Sequence, residues 1–143
     1  VGSEMCIRDR DKTAEFFEVC KALADYVFLD CTSSLDDPLS VYGMAAADKV
    51  VQLVTPDIRS AAYYASFEKT YEQIKGKSIG VINITDKDLY LPVGEVKAGF
   101  ANAKYILPYS MYLKQQYITG ELTHKIPDQK FSAVCRGIAG AIL

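Results

Sequence analysis

Asp30, Thr55, Asn83 and the neighbouring Pro108 and Tyr109 each close a short apolar run, and these are the positions in the sequence best suited to chemistry. A carboxylate at the end of a strand, as Asp30 would be after Tyr26, Val27, Phe28 and Leu29, can hold a magnesium-bound water beside phosphate groups. The plain alternative is an Asp that caps a turn. An amide such as Asn83 carries a donor and an acceptor together, and a proline such as Pro108 offers a rigid apolar wall with no N–H. Their plain alternatives are that Asn83 satisfies a turn and Pro108 ends a strand.

The elements that must position these residues follow from periodicity. Phe16, Cys20 and Leu23, with Phe17 and Ala24 beside them, form the helical face of a first helix ending near Asp25, and residues 26–30 then read as a strand. Asp37 before Pro38 is an N-cap with proline at the first helical position, opening a helix through Ala47. Residues 50–55 form a second strand. Pro56 and Asp57 restart a helix whose stripe is Tyr63, Phe67, Tyr71 and Ile74, with Gly76 placed to end it. Residues 78–85 are a third strand, and residues 93–102 are weakly helical because Pro92, Gly94 and Gly99 lower the propensity. Residues 105–107 are a short fourth strand stopped by Pro108. A helix over residues 110–118 follows, and a last helix carries Phe131, Val134, Cys135, Ile138 and Ile142. Helices alternating with β-branched runs predict an α/β fold built on a parallel sheet covered by helices on both faces. In such sheets ligands bind at the carboxyl ends of the strands, where Asp30, Thr55, Asn83 and Pro108 fall.

Composition narrows the function classes. The chain has 143 residues, half of them hydrophobic and 24% charged, as expected of one soluble α/β domain with a real core. The net charge of −2 and the absence of a dense Lys/Arg block give no footprint for reading a phosphate backbone. The longest apolar runs fall well short of the roughly 20 residues a membrane helix needs. The four cysteines, Cys6, Cys20, Cys31 and Cys135, show no zinc or disulfide spacing and fit a reducing cytoplasm. His124 reads as an ordinary loop histidine. Residues 1–10 lack any apolar periodicity and resemble a translated sequencing adaptor, so the native sequence is expected to start at residue 11 and to continue upstream in its gene. Leu143 ends the chain within an apolar-periodic helix, as a truncation would.

Taken in order, the segments resemble the ParA/MinD family of P-loop ATPases. Asp30, Cys31, Thr32, Ser33, Ser34 and Leu35, then Ala45, Ala46, Ala47 and Asp48, then the strand ending in Thr55 and Pro56, are similar to that family's Walker B strand, switch II region and following strand. Thr32 and Ser33 replace the usual prolines, which leaves that loop less rigid. Gly80, Val81, Ile82 and Asn83 resemble the strand whose Asn bonds the adenine ring, Ile106, Leu107, Pro108 and Tyr109 resemble the segment flanking the base, and Gly120, Glu121 and Leu122 resemble the turn before the last helix. The resemblance covers most of residues 11–143.

It implies a three-layer P-loop NTPase-like fold, ATP and magnesium as cofactors, Asp30 as the catalytic and metal-orienting carboxylate, and Asn83, Pro108 and Tyr109 around the base. It further implies an ATP-dependent homodimer that partitions or positions cargo in the cytoplasm with an unidentified activator, and leaves DNA or membrane association open. The phosphate-binding loop, Gly-x-x-x-x-Gly-Lys-Ser/Thr or its Lys-Gly-Gly-x-Gly-Lys form, is absent from the sequence. Lys75, Gly76, Lys77 and Ser78 lack the preceding glycines and follow a helix rather than opening one. The family places that loop on a strand between the Asp30 strand and the Val50 strand, so this chain is expected to lack both. The cluster-carrying relatives use paired cysteines that are not found here. Two other classes stay open: a receiver-type domain with Asp30 as phosphoacceptor and Thr55 following it, and a nucleotide-free interaction module using its ten tyrosines.

Overall fold

A computed structural model of the chain describes residues 10–32, 37–88, 92–100, 102–121 and 124–143. The chain divides into two compact units, Val1–Asp48 and Lys49–Leu143. Residues 33–36 and 122–123, which carry parts of the family resemblance, lie outside the described residues, as does the N-terminal stretch 1–9.

In the first unit, helix α1 (Arg10–Leu23) packs against helix α2 (Pro38–Ala46). The buried face of α1 is Thr13 and Phe17, whereas Phe16 and Leu23 are exposed. Of the expected face, Phe17 is buried and Cys20 half-buried, and Thr13, one i, i+4 step before Phe17, completes the buried side. Asp37 caps α2 as its sequence requires, accepting from the Ser40 N–H at 2.9 Å, with Pro38 at the first turn.

Residues 26–30 form no strand, contrary to the sequence reading. A strand exists only through ladder hydrogen bonds to a neighbour, and none of the described residues supplies that neighbour. Tyr26 and Phe28 are left 65% and 78% exposed, which no strand inside a covered sheet would tolerate.

The second unit holds a three-stranded parallel sheet in the order β1 (Val50–Val54), β2 (Ser78–Asn83), β3 (Ala103–Leu107). Only β2, with a partner on each side, is buried from Ser78 to Ile82; β1 and β3 alternate between half-buried and exposed positions. Burial on both faces thus holds for the central strand alone. Between β1 and β2 run α3 (Ile58–Ser66), α4 (Glu68–Ile74) and a 3-10 turn (Lys75–Lys77). The single helix expected there breaks at Phe67, whose N–H returns to the Tyr64 carbonyl at 3.1 Å. Helix α5 (Val93–Gly99) links β2 to β3, and α6 (Met111–Thr119) and α7 (Gln129–Ile142) complete the chain.

The core forms where Ile82, Val96 and Phe100 meet, with Val54, Tyr64, Val93 and Ala103 packed against them. This fixes α3 and α5 on one face of the sheet. α7 lies against β3, where the Tyr105 hydroxyl donates to the Gly137 carbonyl at 2.9 Å. Of the apolar residues expected to pack α7, Phe131 is buried and Val134, Cys135, Ile138 and Ile142 are half-buried. Gly80 permits a close approach to β3: a Cβ there would lie 2.6 Å from the Asn102 carbonyl oxygen, beside the register shift between Gly80 and Val81. Among the described residues no helix is long and apolar enough to cross a membrane.

Candidate functional site

Because the strands are parallel, their carboxyl ends lie along one edge. Pairing of Val54 with Ile82 and of Asn83 with Leu107 brings Thr55, Asn83 and Pro108 to that edge, and the Ile84 N–H closes it by donating to the Leu107 carbonyl at 2.9 Å. Asn83, Pro108 and Tyr109 are all half-buried, so each keeps surface open beyond the sheet. The Tyr109 ring lies 5.9 Å from Lys87 Nζ, and its hydroxyl donates to Met111 Sδ at 3.6 Å. The edge therefore offers an amide, an apolar wall and an aromatic ring with a cation nearby, a combination suited to a planar, electron-rich ligand.

Thr55 is committed elsewhere. Its hydroxyl donates to the Asp57 carboxylate, which also accepts the Ser60 N–H at 2.8 Å and so caps α3. The Thr55 hydroxyl, then the Ser60 amide, hold the Asp57 carboxyl below its ordinary value against the opposing effect of burial.

No family model, curated protein or solved structure matches this chain.

Asp30 belongs to the first unit, and the sheet edge belongs to the second. Asp30 is exposed, on a segment held to α2 by its neighbours. A Cβ on Gly43 would come within 2.9 Å of Leu29 Cδ1 and 3.7 Å of Cys31 Sγ, so the residues on either side of Asp30 approach α2. The Thr32 N–H then donates to Ser40 Oγ at 3.1 Å, and Ser40 Oγ donates to Asp37 at 2.5 Å. These bonds tie the chain just after Asp30 to the first turn of α2, with the Ser40 contacts pulling the Asp37 carboxyl below its ordinary value. Among the described residues no three His, Cys, Asp or Glu side chains gather as a metal cage. Magnesium needs no such cage, since it is typically held by one or two carboxylates together with phosphate oxygens and waters, and a single exposed Asp30 fits that donor role.

Two features of the site are not visible in periodicity. The sequence reading has Pro56 and Asp57 restart a helix and does not assign the cap, which the structure gives to Asp57 with Thr55 and Ser60 as its partners. Ser110, directly after Tyr109, is 5% exposed and its hydroxyl has no partner among the described residues. No sequence signal marks it.

Proposed function

We propose that this chain is the C-terminal part of a magnesium-dependent ATPase of the ParA/MinD kind, acting in a cytoplasmic, ATP-dependent homodimer that partitions or positions cargo. The observation that supports the reading is the parallel register that pairs Asn83 with Leu107, which leaves Asn83 and the following Pro108 at one edge of the sheet. In this reading the Asn83 amide pairs with the adenine edge, Pro108 forms one wall and the Tyr109 ring another. Asp30, in the first unit, would hold a magnesium-bound water, and the metal would supply charge stabilisation for hydrolysis of the γ-phosphate.

The grip on the phosphates comes from a glycine-rich loop absent from these residues, because only successive backbone N–H groups at a helix N-terminus make that array. A strand carrying such a loop would supply the ladder partner that residues 26–30 lack. The chain alone then binds ATP no better than about millimolar, equivalent to about 4 kcal/mol, and does not hydrolyse it.

The test is to recover the reading frame upstream of Asp11 and express the extended protein. A loop ending in Gly-Lys-Ser/Thr and magnesium-dependent hydrolysis that falls on the order of a hundredfold in Asp30→Asn support the reading. An upstream frame with no such loop refutes it.

A further inference from the structure

β3 runs through Pro108, Tyr109 and Ser110 directly into α6, so the N-terminus of that nine-residue helix opens at the carboxyl edge of the sheet. The Lys114 N–H makes the first helical bond, donating to the Ser110 carbonyl at 3.2 Å, which leaves the amides of Met111, Tyr112 and Leu113 without an acceptor inside the helix. The three residues that carry these amides are all exposed. No acidic side chain stands in the first turn to offset the positive end of the helix. At α3 the same place is filled by the protein's own carboxylate, Asp57, which accepts the Ser60 N–H.

Ser110 is the N-cap of α6, the position from which a serine hydroxyl ordinarily accepts an N–H of the first turn, and it makes no such bond. The residue is 5% exposed and its hydroxyl has no hydrogen-bond partner among the described residues. A buried hydroxyl left unpaired is costly, and such a group in a folded protein calls for an occupant that satisfies it. The Ser110 backbone, at φ −123° and ψ 116°, has the extended conformation usual for an N-cap, from which rotation about Cα–Cβ brings the hydroxyl over the first-turn amides. Three N–H donors and one O–H then converge on one place. A negatively charged group with several acceptor oxygens on one centre matches that array, and a phosphate group offers more of them than a planar carboxylate with two.

We propose that the N-terminus of α6, with Ser110 as its hydroxyl donor, binds a phosphate group. The site lies wholly within the second unit and does not rest on the reading of Asn83 and Tyr109 as a base site.

The test titrates the ¹⁵N-labelled 143-residue chain with inorganic phosphate at constant ionic strength, with chloride as control and adenosine monophosphate as a second arm. Saturable shifts at the amides of Met111, Tyr112 and Leu113 are expected with phosphate, at a Kd on the order of millimolar, and none with chloride. Adenosine monophosphate that binds more tightly and also shifts Asn83 names a nucleotide as the source of the group, whereas binding no tighter than phosphate names free phosphate; either result supports the site. Ser110→Ala removes only the unpaired hydroxyl and should weaken phosphate binding by about tenfold. Met111→Pro takes away one donor at a position where proline suits the start of a helix and should also weaken binding. Ser110→Asp puts a carboxylate in the place of the phosphate and should abolish binding, and an otherwise unchanged spectrum of each variant reports that the fold is kept. Chloride that reproduces the shifts, shifts scattered over the surface, or folded Ser110→Ala and Ser110→Asp variants that bind phosphate like the parent would each overturn the proposal and leave a buried water as the partner of the Ser110 hydroxyl.

Discussion

Asp57 illustrates how much one side chain does at the start of α3, and its chemistry makes the fold sensitive to acid. The Thr55 hydroxyl and the Ser60 N–H favour its charged form, so its folded pKa lies below the ordinary 3.8. Stabilisation by a depressed carboxyl is complete above the unfolded pKa and disappears as pH falls through the folded value. Thermal unfolding midpoints measured between neutral pH and pH 2 should therefore fall on the acid side of about pH 4, and Asp57→Asn should flatten that limb while keeping one cap acceptor. An unchanged acid limb in the variant would show that the carboxylate contributes nothing. Ser110 has the opposite character. Its hydroxyl is buried without a partner among the described residues and makes no cap bond to α6, so Ser110→Ala should raise stability by about 1 kcal/mol in chemical denaturation, where an ordinary N-cap serine would lose a similar amount. Capping at Asp37 was legible because an Asp beside Pro38 has a local meaning, and the helix restart at Pro56 and Asp57 was legible for the same reason, though not the cap itself. The isolation of the Ser110 hydroxyl was not, because it is set by what surrounds the side chain in space.

The elements divide in the same way. β1, β2 and β3 and the helices that follow them fall where periodicity places them, since their apolar residues find partners within the second unit. Residues 26–30 carry an equally apolar pattern and form no strand, because pattern specifies which residues can pair and a ladder requires something to pair with. The break at Phe67 was also hidden. The Tyr63 and Phe67 rings meet at 4.7 Å while Tyr64 stacks on Tyr71 at 5.2 Å, so the aromatic residues fall into two groups instead of one stripe. Burial beside Tyr63 and Tyr64 pushes the Tyr71 phenol up to about 12. Gly80 is the element-scale weak point: its missing Cβ lets the Asn102 carbonyl accept the Gly80 N–H at 2.8 Å. Gly80→Ala should cost about 1–3 kcal/mol in denaturant unfolding, because the atoms in the way are backbone and cannot swing aside. Unchanged stability would mean that β3 can move off β2 freely.

At the scale of the molecule, apolar surface remains open on both units. Tyr26, Val27 and Phe28 are exposed on the first, and Leu53 on β1 is 63% exposed on the second. β1 ends the sheet on its side, and an apolar edge strand invites pairing with another chain. Leu53→Lys should reduce concentration-dependent association in analytical ultracentrifugation, and association that persists unchanged would direct attention to residues 26–28 instead. The reading of the sheet edge as an adenine site is tested most directly by titrating ATP into the ¹⁵N-labelled chain and following the amides of Asn83 and Tyr109. Saturable shifts at those residues with a Kd of about a millimolar, lost in Asn83→Ala and not reproduced by GTP, are the expected result. Silence at Asn83 and Tyr109 at saturating ATP, or an identical response to GTP, would contradict it.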